Sequence, residues 1–144
     1  MKKRLFSIVL SLCMVLALMS QMAFADTVTG ITYLDASGAQ QTCDSATVVT
    51  GGDTTWGTGG QTTWYVVQDN VTINDRVTVS GTVNLILKDG CTLNASKGIE
   101  VNSENDLTIY AQSVPKFNED GPLATNNTAG MLNARVGLAI NCSI

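Results

Sequence analysis

The chain has 144 residues, with eight basic and twelve acidic side chains, no histidine and a net charge of −4. The lack of histidine excludes catalysis by an imidazole base or nucleophile. Beyond residue 25, the acidic balance without a cluster of Lys or Arg argues against nucleic acid or an anionic membrane surface as a partner.

Residues 1–25 have the three parts of a secretory signal peptide. Lys2, Lys3 and Arg4 form the positive start, an apolar run follows to Met19, and AFA at 23–25 supplies a small-residue cleavage site. The alternative is a membrane anchor, but the run is shorter than the roughly 20 residues that span a bilayer. We expect a secreted, extracellular protein, associated with the cell surface and free of the membrane after cleavage.

Cysteine usage predicts neither a metal site nor a cofactor. Cleavage leaves Cys43, Cys91 and Cys142, an odd number, so at least one thiol is unpaired or bonded to another chain. A Cys43–Cys142 bridge has no support from spacing. Cys91 occupies an alternating apolar position in a predicted strand, where a buried small hydrophobe is expected. There is no C-x-x-C pair to go with the missing histidine.

Residues 26–68 are predicted to form N-terminal cap strands and a loop. The segment 29–35 alternates around Ile31 and Tyr33, a second short run covers 46–50, and a strand is expected over 63–67. Between them, residues 54–62 are rich in Gly and Thr and are predicted to form a flexible loop that carries Trp56. Repeat folds need such caps because each coil is buried only by its neighbours.

Residues 69–111 contain six short β-rich runs whose centres are six to eight residues apart. This spacing is too close for hairpin meanders, in which turns recur at roughly 8–12 residues. The pattern favours a β-solenoid, and a small β-sandwich is the alternative. With three runs to a coil, we expect Val71 below Cys91, Val77 below Ile99 and Leu85 below Leu107.

The alternation also predicts which side chains point into one stacked core. Outward positions include Thr72 and Thr78. The predicted inward residues are Val71, Ile73, Val77, Val79, Leu85, Leu87, Leu93, Ile99, Val101, Leu107 and Ile109.

Residues 112–144 form a weakly patterned tail that we interpret as a truncated third coil. Residues 131–134 echo one more rung, and residues 136–140 alternate briefly. Pro115 and Pro122 fall where a third coil would begin, and proline cannot donate to a strand ladder. We therefore expect an open edge at 107–110 that favours self-association.

The order of several short segments is similar to a region in large secreted surface proteins of Gram-positive bacteria. The resemblance covers residues 33–112 and is carried by WYVV at 64–67, NVTI at 70–73, RVTVSG at 76–81, VNLILKDGCTL at 83–93, KGIEV at 97–101 and DLTIYAQ at 106–112. Those proteins are described as carbohydrate-binding-domain or adhesin-like, with right-handed parallel β-helix regions. The resemblance implies an all-β fold, a short right-handed parallel β-helix of two to three coils, and a role at the cell surface.

We expect no catalytic residues in this chain. A glycosidase needs two carboxyls roughly 5–10 Å apart, whereas most carboxylates of the coil region lie at corners, where turn chemistry alone explains them. Glu100 is mid-strand and is expected to point outward. The carboxylates are Asp69, Asp75, Asp89, Glu100, Glu104 and Asp106. A fragment of a polysaccharide-degrading enzyme is the remaining catalytic alternative.

Binding is the function class that the sequence favours. Trp56, Trp64 and Tyr65 flank the Gly/Thr loop, and aromatic faces suit the apolar faces of sugars as well as protein partners. Trp56 is expected to face a ligand, while Trp64 has the alternative role of closing the open end of the coil. We therefore predict an adhesin-type module whose partners are carbohydrate or other surface proteins. The alternative is a structural cap and spacer of a longer β-helix.

We predict that the mature protein begins at Asp26, because the small residues Ala23 and Ala25 precede the expected cleavage point. Mass spectrometry of the exported protein gives the test. Retention of residues 1–25 in the secreted fraction would contradict the assignment.

Overall fold

The computed structural model describes residues 25–114 and 129–134, and these residues are mostly strand, which confirms the all-β class. The signal segment, the prolines at 115 and 122, the run at 136–140 and Cys142 all lie outside the described residues. No helix that could span a membrane occurs within the described ranges. The strands are β1 Thr27–Val28, β2 Ile31–Leu34, β3 Gln40–Cys43, β4 Ala46–Val48, β5 Thr55–Val67, β6 Val71–Ile73, β7 Val77–Leu87, β8 Thr92–Ala95, β9 Ile99–Glu100, β10 Asp106–Ala111 and β11 Met131–Ala134.

Three sheets contain these strands; the largest is mixed, and none is closed on itself within the described residues. The largest has the order β1-β4-β5-β7-β10, with β9 also paired to β7. Only β1 and β4 are antiparallel in it. The second sheet, β6-β8-β11, is wholly parallel, and β2 and β3 form an antiparallel hairpin.

The two long strands, β5 and β7, each bend sharply in the middle. Residues 77–80 of β7 pair with residues 55–57 and 99–100, whereas residues 82–87 pair with 62–67 and 106–111. At the bend, Gly81 has φ of +76°, and a Cβ there would lie 2.3 Å from the carbonyl oxygen of Thr58. Only glycine fits this close approach.

The prediction of a flexible loop over residues 54–62 is therefore wrong, because nearly all of this segment belongs to β5. Its register against β7 shifts between Gly57 and Thr62. Gly57 adopts a φ of +84° beside the carbonyl of Ser80. The glycines thus permit a bend within a paired strand, a use that composition alone does not distinguish from a loop.

The predicted stacking register is correct at one position of three. Val77 pairs with Ile99 as expected, but Val71 pairs with Leu93 and Leu85 pairs with Ile109. Thr72 accordingly faces Asn94 and not Thr92. At the first site, the side-chain carbonyl of Asn70 accepts the N–H of Thr92 at 2.8 Å, which fixes the register two residues further along the chain.

The other register error comes from a turn at residues 102–105. The N–H of Asn105 donates to the carbonyl of Asn102 at 2.9 Å. The side-chain carbonyl of Asn105 accepts the N–H of Gly81 at 2.6 Å, directly at the bend of β7. This turn is longer than the bend at Gly81 in β7. Paired residues of β7 and β10 are therefore separated in sequence by two residues more than paired residues of β7 and β9.

All the predicted inward residues lie in one hydrophobic cluster or pack against it, which confirms the alternation. Cys91 is buried in the same cluster, as expected. The cluster also contains five residues that were not predicted to lie in it: Trp56, Val49, Val67, Val83 and Ala95.

A second, smaller cluster lies on the opposite face of the β5–β7 sheet. It contains Cys43, Ala46, Val66 and Ile86, and the β2–β3 hairpin packs over it through Ile31. The hairpin therefore lies along the outer face of the sheet. Because both faces of β7 are covered, its run from Val83 to Leu87 is buried without interruption.

The hairpin turn is organised by one carboxylate. The hydroxyl of Ser37 donates to Asp35 at 2.6 Å, the side-chain amide of Gln41 at 2.9 Å and the N–H of Ala39 at 3.0 Å. These donors, Ser37 first, lower the pKa of Asp35 to about 2. The carboxylate therefore remains a charged acceptor across the physiological pH range.

Outside the core, polar side chains connect neighbouring strands and turns. The amide of Asn133 donates to the side-chain carbonyl of Asn94 at 2.9 Å, and Lys97 lies 2.7 Å from Asp75. Residues 131–134 form a strand, β11, that pairs in parallel with β8. β10 is the last strand of its sheet within the described residues, and self-association through it stays a prediction.

We predict that Leu85→Ala lowers the free energy of unfolding by about 2–5 kcal/mol, because the side chain is fully buried in the inner cluster. Thr72→Ala, on the exposed face of β6, is the matched control and should change it by less than about 0.5 kcal/mol. Urea unfolding followed by circular dichroism measures both. Equal losses would contradict the observed register.

Candidate functional site

The three aromatic residues predicted to bind a ligand are divided between the two faces of β5. Trp64 points to the outer face, where its ring stacks on Tyr110 at 5.4 Å between centroids and meets Tyr33 at 5.0 Å. All three rings are half-buried against the smaller cluster. Burial, and then the neighbouring Tyr110, raise the pKa of Tyr33, so this tyrosine remains protonated. Trp64 therefore secures the β2–β3 hairpin to the sheet.

Trp56 is not the exposed ring that its Gly- and Thr-rich surroundings predict. Its side chain is 0% exposed and belongs to the inner cluster. The pairing of Trp56 with Val79 places it on the inward face of β5. Its indole N–H donates to the carboxylate of Asp53 at 3.0 Å. The expectation of a ligand-facing Trp56 is therefore wrong, because strand pairing through the bend turns the ring inward.

Tyr65 is the one of the three that borders a cavity. Its hydroxyl accepts the N–H of Gly57 at 2.9 Å, and its ring lies 5.9 Å from that of Trp56. The ring is thus held from two directions without help from a ligand. It lines a cavity of about 540 Å³ at the β5 side of the core, together with residues 25–26, Thr47, Val48, Thr50, Gly52, Asp53 and Thr55.

Asp53 connects this cavity to the core. Its carboxylate accepts the hydroxyl of Thr50 at 2.6 Å and the N–H of Thr50 at 3.3 Å, in addition to the indole of Trp56. No role was assigned to Asp53 from the sequence, so it was missed as a site residue. The signal available was an aspartate three residues before a tryptophan, which alone does not identify a hydrogen bond. A carboxylate with this many donors is fixed in position and can orient a neighbouring hydroxyl.

The cavity combines an aromatic ring with several small hydrogen-bonding groups. The hydroxyls of Thr47, Thr50 and Thr55 donate and accept, and the carboxylate of Asp53 accepts. This set suits a ligand that has an apolar face and many hydroxyls. A second cavity, of about 690 Å³, lies beside β8 and β11, and its lining within the described residues includes Asn94, Ser96, Leu132 and Asn133 but no aromatic ring.

Two carboxylates of residues 69–111 that were considered from sequence as catalytic candidates contact side chains from other parts of the chain. Asp89 accepts the hydroxyl of Ser113 at 3.0 Å, and Glu100 lies 3.6 Å from Arg76 on the solvent side. Glu100 is therefore directed outward, as its mid-strand position predicts. Among the described residues, no three Cys, Asp or Glu side chains converge as a metal site would require.

The thiols within the described ranges are inert. Cys43 and Cys91 are both free and buried, and burial raises the pKa of each. A protonated thiol is a poor nucleophile. The proposed partner of Cys43 in a bridge, Cys142, lies outside the described residues.

Comparison of the chain with protein-family models, with curated proteins and with solved structures gave no match. The resemblance to Gram-positive surface proteins therefore stays a prediction from sequence.

We predict that Asp53→Ala destabilises the protein by about 1–3 kcal/mol, because it leaves the buried indole N–H of Trp56 without an acceptor. Denaturant unfolding measures the loss. In the Trp56→Phe background the indole N–H is gone, so the same Asp53 change should cost clearly less. Additive losses in the double variant would show that the hydrogen bond does not stabilise the fold.

Proposed function

We propose that this chain is a secreted, non-catalytic cell-surface module built on a short right-handed β-solenoid, and that it binds carbohydrate in the cavity beside Tyr65. The observation that carries the binding proposal is the pre-positioned ring of Tyr65 at a cavity lined by hydroxyl groups and Asp53.

The solenoid part of the proposal is supported by parallel stacking on more than one side of the core. Residues 92–95 lie between residues 71–73 on one side and residues 131–134 on the other, residues 77–78 pair with 99–100, and residues 82–87 pair with 106–111. The chain visits these positions in the same order in each pass. Parallel strand–crossover–strand connections are right-handed in about 98% of cases, which gives the proposed hand.

The carbohydrate part is supported by size and chemistry. A cavity of about 540 Å³ falls within the usual range of roughly 300–1,000 Å³ for small-ligand sites. Sugars have apolar C–H faces that pack on aromatic rings, and hydroxyls that need directional partners. Tyr65 supplies the ring, and Thr55, Thr50 and Asp53 supply the partners.

The second candidate function is that of a structural cap for a longer β-helix. Full burial of Trp56 beside Tyr65 on the β5 side of the core favours it, since these two rings cover the apolar interior where the coil stack begins. A cap of this kind needs no ligand. Carbohydrate binding requires that the cavity remain open to a ligand, whereas a cap does not.

We predict that the mature protein binds one class of neutral oligosaccharide on a glycan array, and that Gly52→Trp weakens this binding at least about tenfold, equivalent to about 1.4 kcal/mol. Gly52 lines the cavity, and a Cβ there meets no atom within 4 Å. A large ring at this position is therefore expected to reduce the space at the cavity without disturbing the backbone.

The control is Gly59→Trp, which adds the same ring at an exposed position in ordinary contact with Ser80. Isothermal titration calorimetry with the best array ligand should give unchanged affinity for this variant. Equal affinity for both variants would place the ligand elsewhere. Absence of any glycan binding by the unmodified mature protein would favour the cap function.

A further inference from the structure

The first residue expected for the mature chain borders the cavity beside Tyr65. Ala25 and Asp26 both belong to the lining of this cavity, together with Asp53. The expected cleavage point lies between Ala25 and Asp26, so signal removal acts directly on the wall of the cavity. It takes Ala25 out of the lining and leaves Asp26 as the N-terminal residue.

Asp26 is held at the cavity by strand pairing that does not involve Ala25. The carbonyl of Asp26 accepts the N–H of Val48 at 2.7 Å, and the residues that follow form β1, which pairs with β4. β4 in turn pairs with β5 at Tyr65. The carbonyl of Ala25 accepts the hydroxyl of Thr27 at 3.4 Å, a long hydrogen bond. Loss of Ala25 therefore leaves the pairing that positions Asp26 intact.

Cleavage converts the backbone nitrogen of Asp26 from an amide into an α-amino group. This nitrogen is two covalent bonds, of about 1.5 Å each, from the carbonyl carbon whose oxygen accepts the N–H of Val48. An α-amino group has a pKa of about 7.7–8.0 and is therefore mostly an ammonium ion at neutral pH. The mature chain thus gains a cation close to the cavity.

The lining that receives this cation is acidic. Its titratable side chains are those of Asp26, Asp53 and Tyr65, and no Lys or Arg belongs to it among the described residues. The carboxylate of Asp53 accepts the hydroxyl of Thr50 and the indole N–H of Trp56. These donors are neutral, so neither balances the negative charge. A carboxylate in this situation stabilises a nearby ammonium group.

We propose that cleavage before Asp26 completes the binding cavity by placing an α-ammonium group beside the carboxylate of Asp53. The ammonium donates hydrogen bonds and the carboxylate accepts them. Together they match two adjacent hydroxyls of a neutral sugar, one of which accepts while the other donates. The inference rests on the predicted cleavage and on the proposed carbohydrate binding, and it makes the site incomplete in the uncleaved chain.

The protonation of the α-amino group tests its position without any glycan. Ligation at Cys43 joins a synthetic segment 26–42, isotope-labelled at Asp26, to residues 43–144. NMR titration should give an α-amino pKa above that of the free 26–42 peptide, because a nearby carboxylate favours the ammonium form. Asp53→Asn removes the charge and keeps a side-chain carbonyl as acceptor, so it should lower the pKa toward the value of the peptide. Circular dichroism confirms that each ligated protein is folded.

Chemical variants of the same terminus test its part in binding. Nα-acetylation of Asp26 removes the charge and should weaken binding of the best array glycan at least about tenfold, the loss expected for a hydrogen bond from a charged donor. Nα-methylation is the matched control, since a methylated amine remains a cation with two N–H groups. The methylated protein should bind nearly as well as the free terminus. Isothermal titration calorimetry measures all three forms.

Each outcome decides the proposal. A raised pKa that falls in Asp53→Asn, with binding weakened by acetylation and kept after methylation, supports it. A pKa equal to that of the peptide, or one that Asp53→Asn leaves unchanged, overturns it. Equal losses from the acetyl and methyl groups, or no loss from either, also overturn it. A raised, Asp53-dependent pKa in a protein that binds no glycan supports the position of the ammonium and shows that the carbohydrate proposal has failed separately.

Discussion

Parallel pairing on both edges of β7 is the constraint on which the rest of the structure depends. This strand pairs with β5 on one side and, on the other, with β9 at residues 77–78 and with β10 at residues 82–87. At the bend, Gly81 separates two segments of β7. Residues 77–80 pair with one part of β5 and with β9, and residues 82–87 pair with another part of β5 and with β10. Since each backbone N–H and C=O of a buried strand needs a partner, β7 is stable only between two neighbours. The strands that precede and follow β7 in the chain supply these neighbours: β5 on one edge, and β9 and β10 on the other.

The side chains that border the core near β5 differ in type from those near β10. On the β5 side, Trp56 and Tyr65 cover the apolar interior, and their polar groups are satisfied by Asp53 and the N–H of Gly57. On the β10 side, aliphatic residues such as Ile109 and Leu132 are only partly buried. An aromatic layer with its own hydrogen bonds ends a core, whereas an aliphatic layer with free strand edges needs another rung.

The alternation of the short runs was sufficient to predict the core but not the register. Burial of Val77, Leu85 and Leu93 follows from period-two patterning, which depends on local sequence alone. The register depends on how many residues each corner contains, and Asn105 shows that this is decided by a hydrogen bond to a different rung. Trp56 was misplaced for the same reason, since its inward direction follows from pairing with Val79 across the sheet. Tyr65 borders a cavity built partly by Asp53 and Thr50, and no spacing in the sequence brings these residues together.

The position of Tyr65 would link the proposed binding to stability. One face of its environment is the core, through Trp56, and the other is the cavity, through Asp53 and the threonines around it. A ligand in this cavity would add contacts to β5, which among the described residues is paired with β4 only at residues 65 and 66 on the side away from β7. Binding to the folded state alone stabilises a protein by an amount that grows with ligand concentration. A sugar bound beside Tyr65 would therefore act on the fold as an additional rung does, by covering the end of the coil.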